Sequence, residues 1–138
     1  MEQLIEFAGN HAILVASLFV VLALLAFNLM QAQKNSVDPV GATHLINRED
    51  AVVIDVRPMA DFHKGHIVNA RSIPLNGFKN QIHSLEKFKQ TPVIVSCKSG
   101  NQSGSACGDL RKAGFEKVYN LRGGLHAWEA EKLPVSTK

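Results

Sequence analysis

The residues best suited to chemistry lie together in the stretch Cys97-Lys98-Ser99-Gly100-Asn101-Gln102-Ser103. Cys97 follows the apolar run Pro92–Ser96 and precedes a helical pattern that reaches Ala113 and stops at Gly114. A strand that gives way to a short loop and then a helix turns several backbone N–H groups, and the positive end of the helix dipole, toward one point beside the sulfur. Such a point stabilises an anion. The thiol is therefore expected to ionise below its free value of about 8.5, with Lys98 adding a positive charge nearby. Gly100 lets the backbone curl, and the small polar Ser99, Asn101 and Ser103 leave room for N–H groups to face inward. An isolated free cysteine is most often an inert buried side chain. The strand-end position moves the reading of Cys97 to a nucleophile, with Lys98, Ser99, Gly100, Asn101, Gln102 and Ser103 as its anion-binding loop.

Other groups carry less. Asp55 and Arg57 close the run Ala51–Val56 and read as bracing the loop through hydrogen bonds, or as contacting a substrate. Cys107 falls with Ala106 and Leu110 on an inward stripe of the helix after Cys97, which reads as burial rather than as a resolving cysteine. His63 and His66 have ligand-like spacing without a nearby Cys pair, so a structural or surface role is expected, with no metal and no cofactor. Trp128 and Leu125 read as core.

These side chains need elements to position them. Asp38-Pro39 reads as an N-cap followed by proline at the first helical position, opening a short helix to about Asn47. Ala51–Val56 and Pro92–Ser96 are continuous apolar runs that suit strands buried on both faces of a parallel sheet. A third strand over Lys117–Leu121 leads through Arg122-Gly123-Gly124 into a last short helix, Leu125–Ala130. Strands alternating with helices imply an α/β domain with a mainly parallel sheet, and ligands of such sheets bind at the carboxyl ends of the strands.

Three blocks of sequence carry a family resemblance. They are Val53-Ile54-Asp55-Val56-Arg57 through Phe62, Gly65-His66-Ile67, Ala70 and Ile73-Pro74-Leu75; the Cys97 loop; and Leu121-Arg122-Gly123-Gly124 with Trp128. Over most of residues 37 to 136 the chain resembles a single-domain rhodanese. The resemblance implies a rhodanese-like parallel sheet of five strands flanked by helices, with Cys97 as a sulfur-carrying nucleophile. It implies a sulfurtransferase: the thiolate takes the sulfane sulfur of a small anionic donor such as thiosulfate, holds it as a persulfide, and passes it to a thiol or cyanide acceptor. Converging N–H groups favour both the thiolate and the anionic persulfide.

One position departs from the pattern. Sulfur-transferring members commonly read Cys-x-x-Gly-x-Arg, and here Gln102 stands at the arginine position. Gln donates hydrogen bonds but supplies neither a charge nor a bidentate fork. Related dual-specificity phosphatases place an arginine one residue later, where this chain has Ser103, so phosphoryl chemistry is not expected. The departure supports an alternative, a weakly active or inactive rhodanese-fold adaptor that binds other membrane proteins.

The membrane enters through the charge pattern. Between Phe7 and Gln33 the chain has no Asp, Glu, Lys or Arg, although the 138 residues include 15 basic and 12 acidic ones. Ala12–Met30 contains only Ser17 and Asn28 as polar residues, and its length at 1.5 Å per residue is about 28 Å, the thickness of a bilayer core. The sequence organisation is therefore read as a transmembrane helix over 11–31, a polar linker over 32–37 and a rhodanese-like domain over 38–138. Glu2 and Glu6 precede the span and the basic residues follow it, so the positive-inside rule leaves the N-terminus outside and the domain in the cytoplasm, in a bacterial inner membrane. Ser17 and Asn28 are candidates for hydrogen bonds to a partner helix. The segment after the span carries 15 basic against 10 acidic residues, scattered rather than clustered, so a nucleic-acid partner is not expected.

Overall fold

The computed structural model describes the backbone of residues 1–138 and all side chains except those of residues 32 and 33. It divides into two units, Met1–Lys34 and Asn35–Lys138.

The first unit holds α1 (Glu2–Asn10) and α2 (Ala12–Lys34), separated by His11, whose φ of −125° and ψ of 43° leave the helical region. Within α2, the 20 residues Ala12–Gln31 are long and apolar enough to cross a membrane. Two of its polar side chains turn back on their own helix: Ser17 Oγ donates to the Leu14 carbonyl at 2.8 Å and Asn28 Nδ2 to the Leu24 carbonyl at 2.9 Å. These bonds give both groups an acceptor within their own helix.

The second unit comprises β1 (Ser36–Val37), α3 (Pro39–Glu49), β2 (Val52–Asp55), α4 (Met59–Lys64), β3 (His66–Ile67), β4 (Arg71–Ser72), α5 (Phe78–Gln81), a 3-10 segment (Ile82–Phe88), β5 (Val93–Ser96), α6 (Ser103–Lys112), β6 (Val118–Leu121), α7 (Gly124–Ala130) and β7 (Val135–Ser136). The stretch read as linker is thus the end of α2 and an edge strand. Residues 32–37 combine helix to Lys34 with Ser36–Val37 paired to Asn120 and Leu121.

Five strands form one sheet in the order β1-β6-β5-β2-β4, every pairing parallel. The strands β2 and β5 at its centre are short runs of β-branched residues, as burial on both faces demands. Alternation sends Ile54, Val93 and Val95 to one face, where they pack with Phe78, Leu85, Ala106, Cys107 and Leu110. Val53, Ile94 and Leu121 face the other side, against Ala42, Leu125 and Trp128. A separate antiparallel ribbon pairs β3 with β7. The Asp38 side chain caps α3 by accepting from the Gly41 N–H at 2.8 Å. The four short elements α4, β3, β4 and α5 lie between the sequence-predicted strands and have too few residues to show a period.

Candidate active site

Cys97 is the residue after β5, the middle strand of the sheet, and it precedes α6 by a five-residue loop. Its side chain is 1% exposed. Sγ accepts the Gly100 N–H at 3.0 Å and lies 3.4 Å from Ser103 Oγ. Burial pushes the thiol up, but hydrogen bonds from the Ser103 hydroxyl and from the N–H groups of Ser103, Ser99 and Gly100 outweigh it, and the net shift is downward. The source of the donors is the local fold. Gly100 adopts φ +92°, which turns its N–H toward the sulfur. At the start of α6, Gln102 makes no side-chain cap, so the first-turn N–H groups are not covered by it.

The residues after β6 hold this loop from behind. Leu125 N–H donates to the Cys97 carbonyl at 2.8 Å and His126 N–H to the Lys98 carbonyl at 3.2 Å. A Cβ on Gly124 would lie 2.4 Å from the Cys97 oxygen, so only glycine allows the approach. Asn120 of β6 completes the support: its Nδ2 donates to the Gly100 carbonyl at 3.0 Å, and its Oδ1 receives a close hydrogen bond from the Ser103 hydroxyl.

Asp55 and Arg57 are hydrogen-bonded to one another at the end of β2. Asp55 Oδ1 accepts from the Arg57 backbone N–H at 2.9 Å, and both carboxylate oxygens hold the guanidinium, the closest contact being 2.7 Å. The same guanidinium donates to the Gly65 carbonyl at 2.7 Å, tying the end of β2 to the end of α4. Arg57 nevertheless forms part of the wall of a cleft of about 360 Å³ with Asp61, Cys97, Lys98, Asn101 and Gln102. A neighbouring cleft of about 200 Å³ continues past Lys98 to His126 and Glu129. Lys98, Ser99, Asn101 and Gln102 are exposed, and Ser103 is buried.

Cys107 is buried at 1% exposure, and burial first of all drives its thiol up to about 11. His66 is buried, its Nδ1 2.8 Å from the Phe62 carbonyl and its ring stacked on Phe62 at 3.7 Å; His63 is exposed. Trp128 is in the core and its Nε1 donates to the Pro134 carbonyl at 3.0 Å. Sequence reasoning missed Asn120. Its signal was an amide inside an otherwise apolar strand pattern, where Asn is disfavoured.

A five-stranded parallel sheet with a buried cysteine in an N–H-lined loop defines a rhodanese-type domain, and residues 39–131 match the rhodanese-like domain family; the chain belongs to it. The YibN protein of Escherichia coli K12 is 37% identical over 98% of this chain and 97% of its own length. The thiosulfate sulfurtransferase GlpE of Glaesserella parasuis is 33% identical over 77% of this chain and 96% of its own. The solved rhodanese-like domain of Alr3790 from Anabaena superposes with a TM-score of 0.65 at 26% identity, covering 75% of this chain and 80% of that one. Family membership supports a sulfurtransferase-type or rhodanese-fold function, and sulfurtransferases are represented among the relatives.

Proposed function

We propose that the chain is a membrane-anchored sulfurtransferase, carrying sulfane sulfur on Cys97 at the cytoplasmic face of a bacterial inner membrane. The observation that carries this reading is the buried Cys97 sulfur at the floor of a cleft, receiving the Gly100 N–H at 3.0 Å, with further N–H bonds from Ser99 and Ser103. In the first half-reaction the Cys97 thiolate attacks the outer sulfur of thiosulfate. A sulfur–sulfur bond forms to Cys97, the bond to the sulfonate sulfur breaks, and sulfite leaves with its electron pair. In the second, a thiolate or cyanide attacks the outer persulfide sulfur and Cys97 leaves as thiolate. No net electron is gained or lost by the protein. The loop N–H groups serve both halves, since each begins or ends with an anion beside them.

Incubating the full chain in detergent micelles with thiosulfate should add one sulfur atom, about 32 Da, to the Cys97 peptide and release sulfite; cyanide should then remove it as thiocyanate. Cys97→Ser should abolish both. Failure of thiosulfate and of other sulfane donors to load wild-type Cys97 would contradict the assignment.

A second reading, an adaptor for other membrane proteins with little turnover, is favoured by the uncharged Gln102 and by Arg57 already engaged with Asp55 and Gly65. In-membrane crosslinking separates the two. The adaptor reading expects a partner set that disappears when residues 1–34 are removed and is indifferent to Cys97→Ser.

A further inference from the structure

The Ser103 hydroxyl, buried at 0% exposure, has three neighbours: Cys97 Sγ at 3.4 Å, the Gly100 carbonyl at 3.2 Å and Asn120 Oδ1 in close hydrogen-bond contact. It owns one proton. Asn120 is itself oriented, because Nδ2 is committed to the Gly100 carbonyl and Oδ1 alone is left to face Ser103. While Cys97 is a thiol the set is complete: S–H donates to Ser103 Oγ, and Ser103 donates to Asn120. Once the sulfur is ionised it becomes an acceptor, and Ser103 can stabilise it only by withdrawing its proton from Asn120 Oδ1, the nearer of its two oxygen acceptors, and from the Gly100 carbonyl.

We propose that Asn120 is a positioning residue that competes with the Cys97 sulfur for the Ser103 proton and so restrains the free thiolate relative to the thiol and the persulfide. In the cycle proposed above, on which this extension rests, sulfur loading moves the negative charge to the outer sulfur. Sγ then makes no demand on Ser103, and the proton returns to Asn120. The amide thereby favours the loaded state and lowers the reactivity of the unloaded cysteine. Neither step needs an oxidant or reductant. Among the described residues, Arg57, Asp61 and Lys98 line the cleft with Cys97, His126 and Glu129 line the neighbouring cleft, Cys107 on α6 lies close enough to Cys97 to feel its charge, and Arg111 lies near Cys107. None of them contacts the Ser103 hydroxyl, whose partners are Cys97, Gly100 and Asn120.

The test needs no sulfur donor. The rate of iodoacetamide alkylation of Cys97 in the full chain in detergent micelles is followed against pH by mass spectrometry of the Cys97 peptide. Asn120→Ala frees the Ser103 proton for the sulfur, so the midpoint should fall and alkylation below it should quicken about threefold or more. Asn120→Asp keeps the size of the side chain but accepts more strongly and adds a negative charge, so the midpoint should rise by about one pH unit, a tenfold slowing. In a Ser103→Ala background, where there is no proton to divide, Asn120→Ala should leave the midpoint unchanged.

A midpoint that stays or rises in Asn120→Ala overturns the proposal, and so does an Asn120→Ala shift that survives removal of the Ser103 hydroxyl. If the alanine variant does not fold, an unmoved or lowered midpoint in Asn120→Asp overturns it instead. The expected shifts in a chain that never forms a persulfide would remove the sulfur-transfer reading and leave the proton assignment standing.

Discussion

At Cys97 burial and hydrogen bonding oppose one another, and the second wins. The thiolate fraction, and with it the rate of sulfur loading, should therefore rise with pH through a midpoint below that of an ordinary thiol and then level off. Cys107 is the reverse case. Its folded-state thiol lies near 11, so between about pH 9 and 11 the unfolded chain releases this proton while the folded chain keeps it. Stability present below that window is lost through it, by up to about 3 kcal/mol. Urea unfolding of wild type against Cys107→Ala should show the difference between them shrinking over those two pH units; a constant difference would rule out this source. Gln102 is exposed on the cleft and supplies no charge. Gln102→Arg should raise thiosulfate turnover at least severalfold, chiefly through KM, because a dianion gains a bidentate partner. An unchanged KM would mean that Lys98 already satisfies the donor. The place of the cysteine between a strand and a helix was legible in the sequence because a thiol that closes an apolar run is a local pattern. The true partners of Asp55 and Arg57 were not, since Gly65 reaches the guanidinium only after α4 has turned the chain back.

Among the elements, the decisive contact is between two loops that are distant in sequence. The turn Arg122-Gly123-Gly124 lies against Cys97 and Lys98 so closely that a Cβ at Gly124 would meet the Cys97 oxygen at 2.4 Å and the Lys98 carbonyl carbon at 2.7 Å. Gly124 also has φ +59°, a conformation that an L side chain resists. Gly124→Ala should destabilise the domain by about 2 kcal/mol or more and move the Cys97 alkylation midpoint upward, toward the free thiol, as the N–H groups lose their aim. Gly108→Ala is the control on the neighbouring helix. A Cβ there meets nothing within 4 Å, so about 0.5–1 kcal/mol of stabilisation and an unmoved midpoint are expected. If both variants left the midpoint alone, the turn would not be aiming the loop. The strands and α6 could be read from composition because burial on two faces leaves a continuous apolar run. The paired strands β3 and β7 could not, having two residues each and a partner almost seventy positions away.

For the whole molecule, the gap in charge from Phe7 to Gln33 marks the candidate span, but the sheet decides where the second unit begins. Reading residues 32–37 as a linker from their polarity overlooked that an edge strand of two residues can be polar and still complete a ladder. The Asn120 N–H donates to the Asn35 carbonyl at 2.8 Å, the Arg122 N–H to the Val37 carbonyl at 2.7 Å, and the Arg122 guanidinium to Ser36 Oγ at 3.0 Å. A chain starting at residue 35 keeps all three bonds, whereas one starting at 38 loses them. At about 1 kcal/mol net for each bond, residues 38–138 should be about 2–3 kcal/mol less stable than residues 35–138 in urea unfolding. Equal stability would show that β1 contributes nothing. The loss should also reach the chemistry, because Asn120 takes its backbone anchor from Asn35 and presents its amide to Ser103 and Gly100. With β1 removed, the Cys97 alkylation midpoint should drift in the direction of Asn120→Ala, while the chain starting at 35 should titrate like the full one. The segment that follows the apolar helix would then be part of the machinery that sets the reactivity of the cysteine.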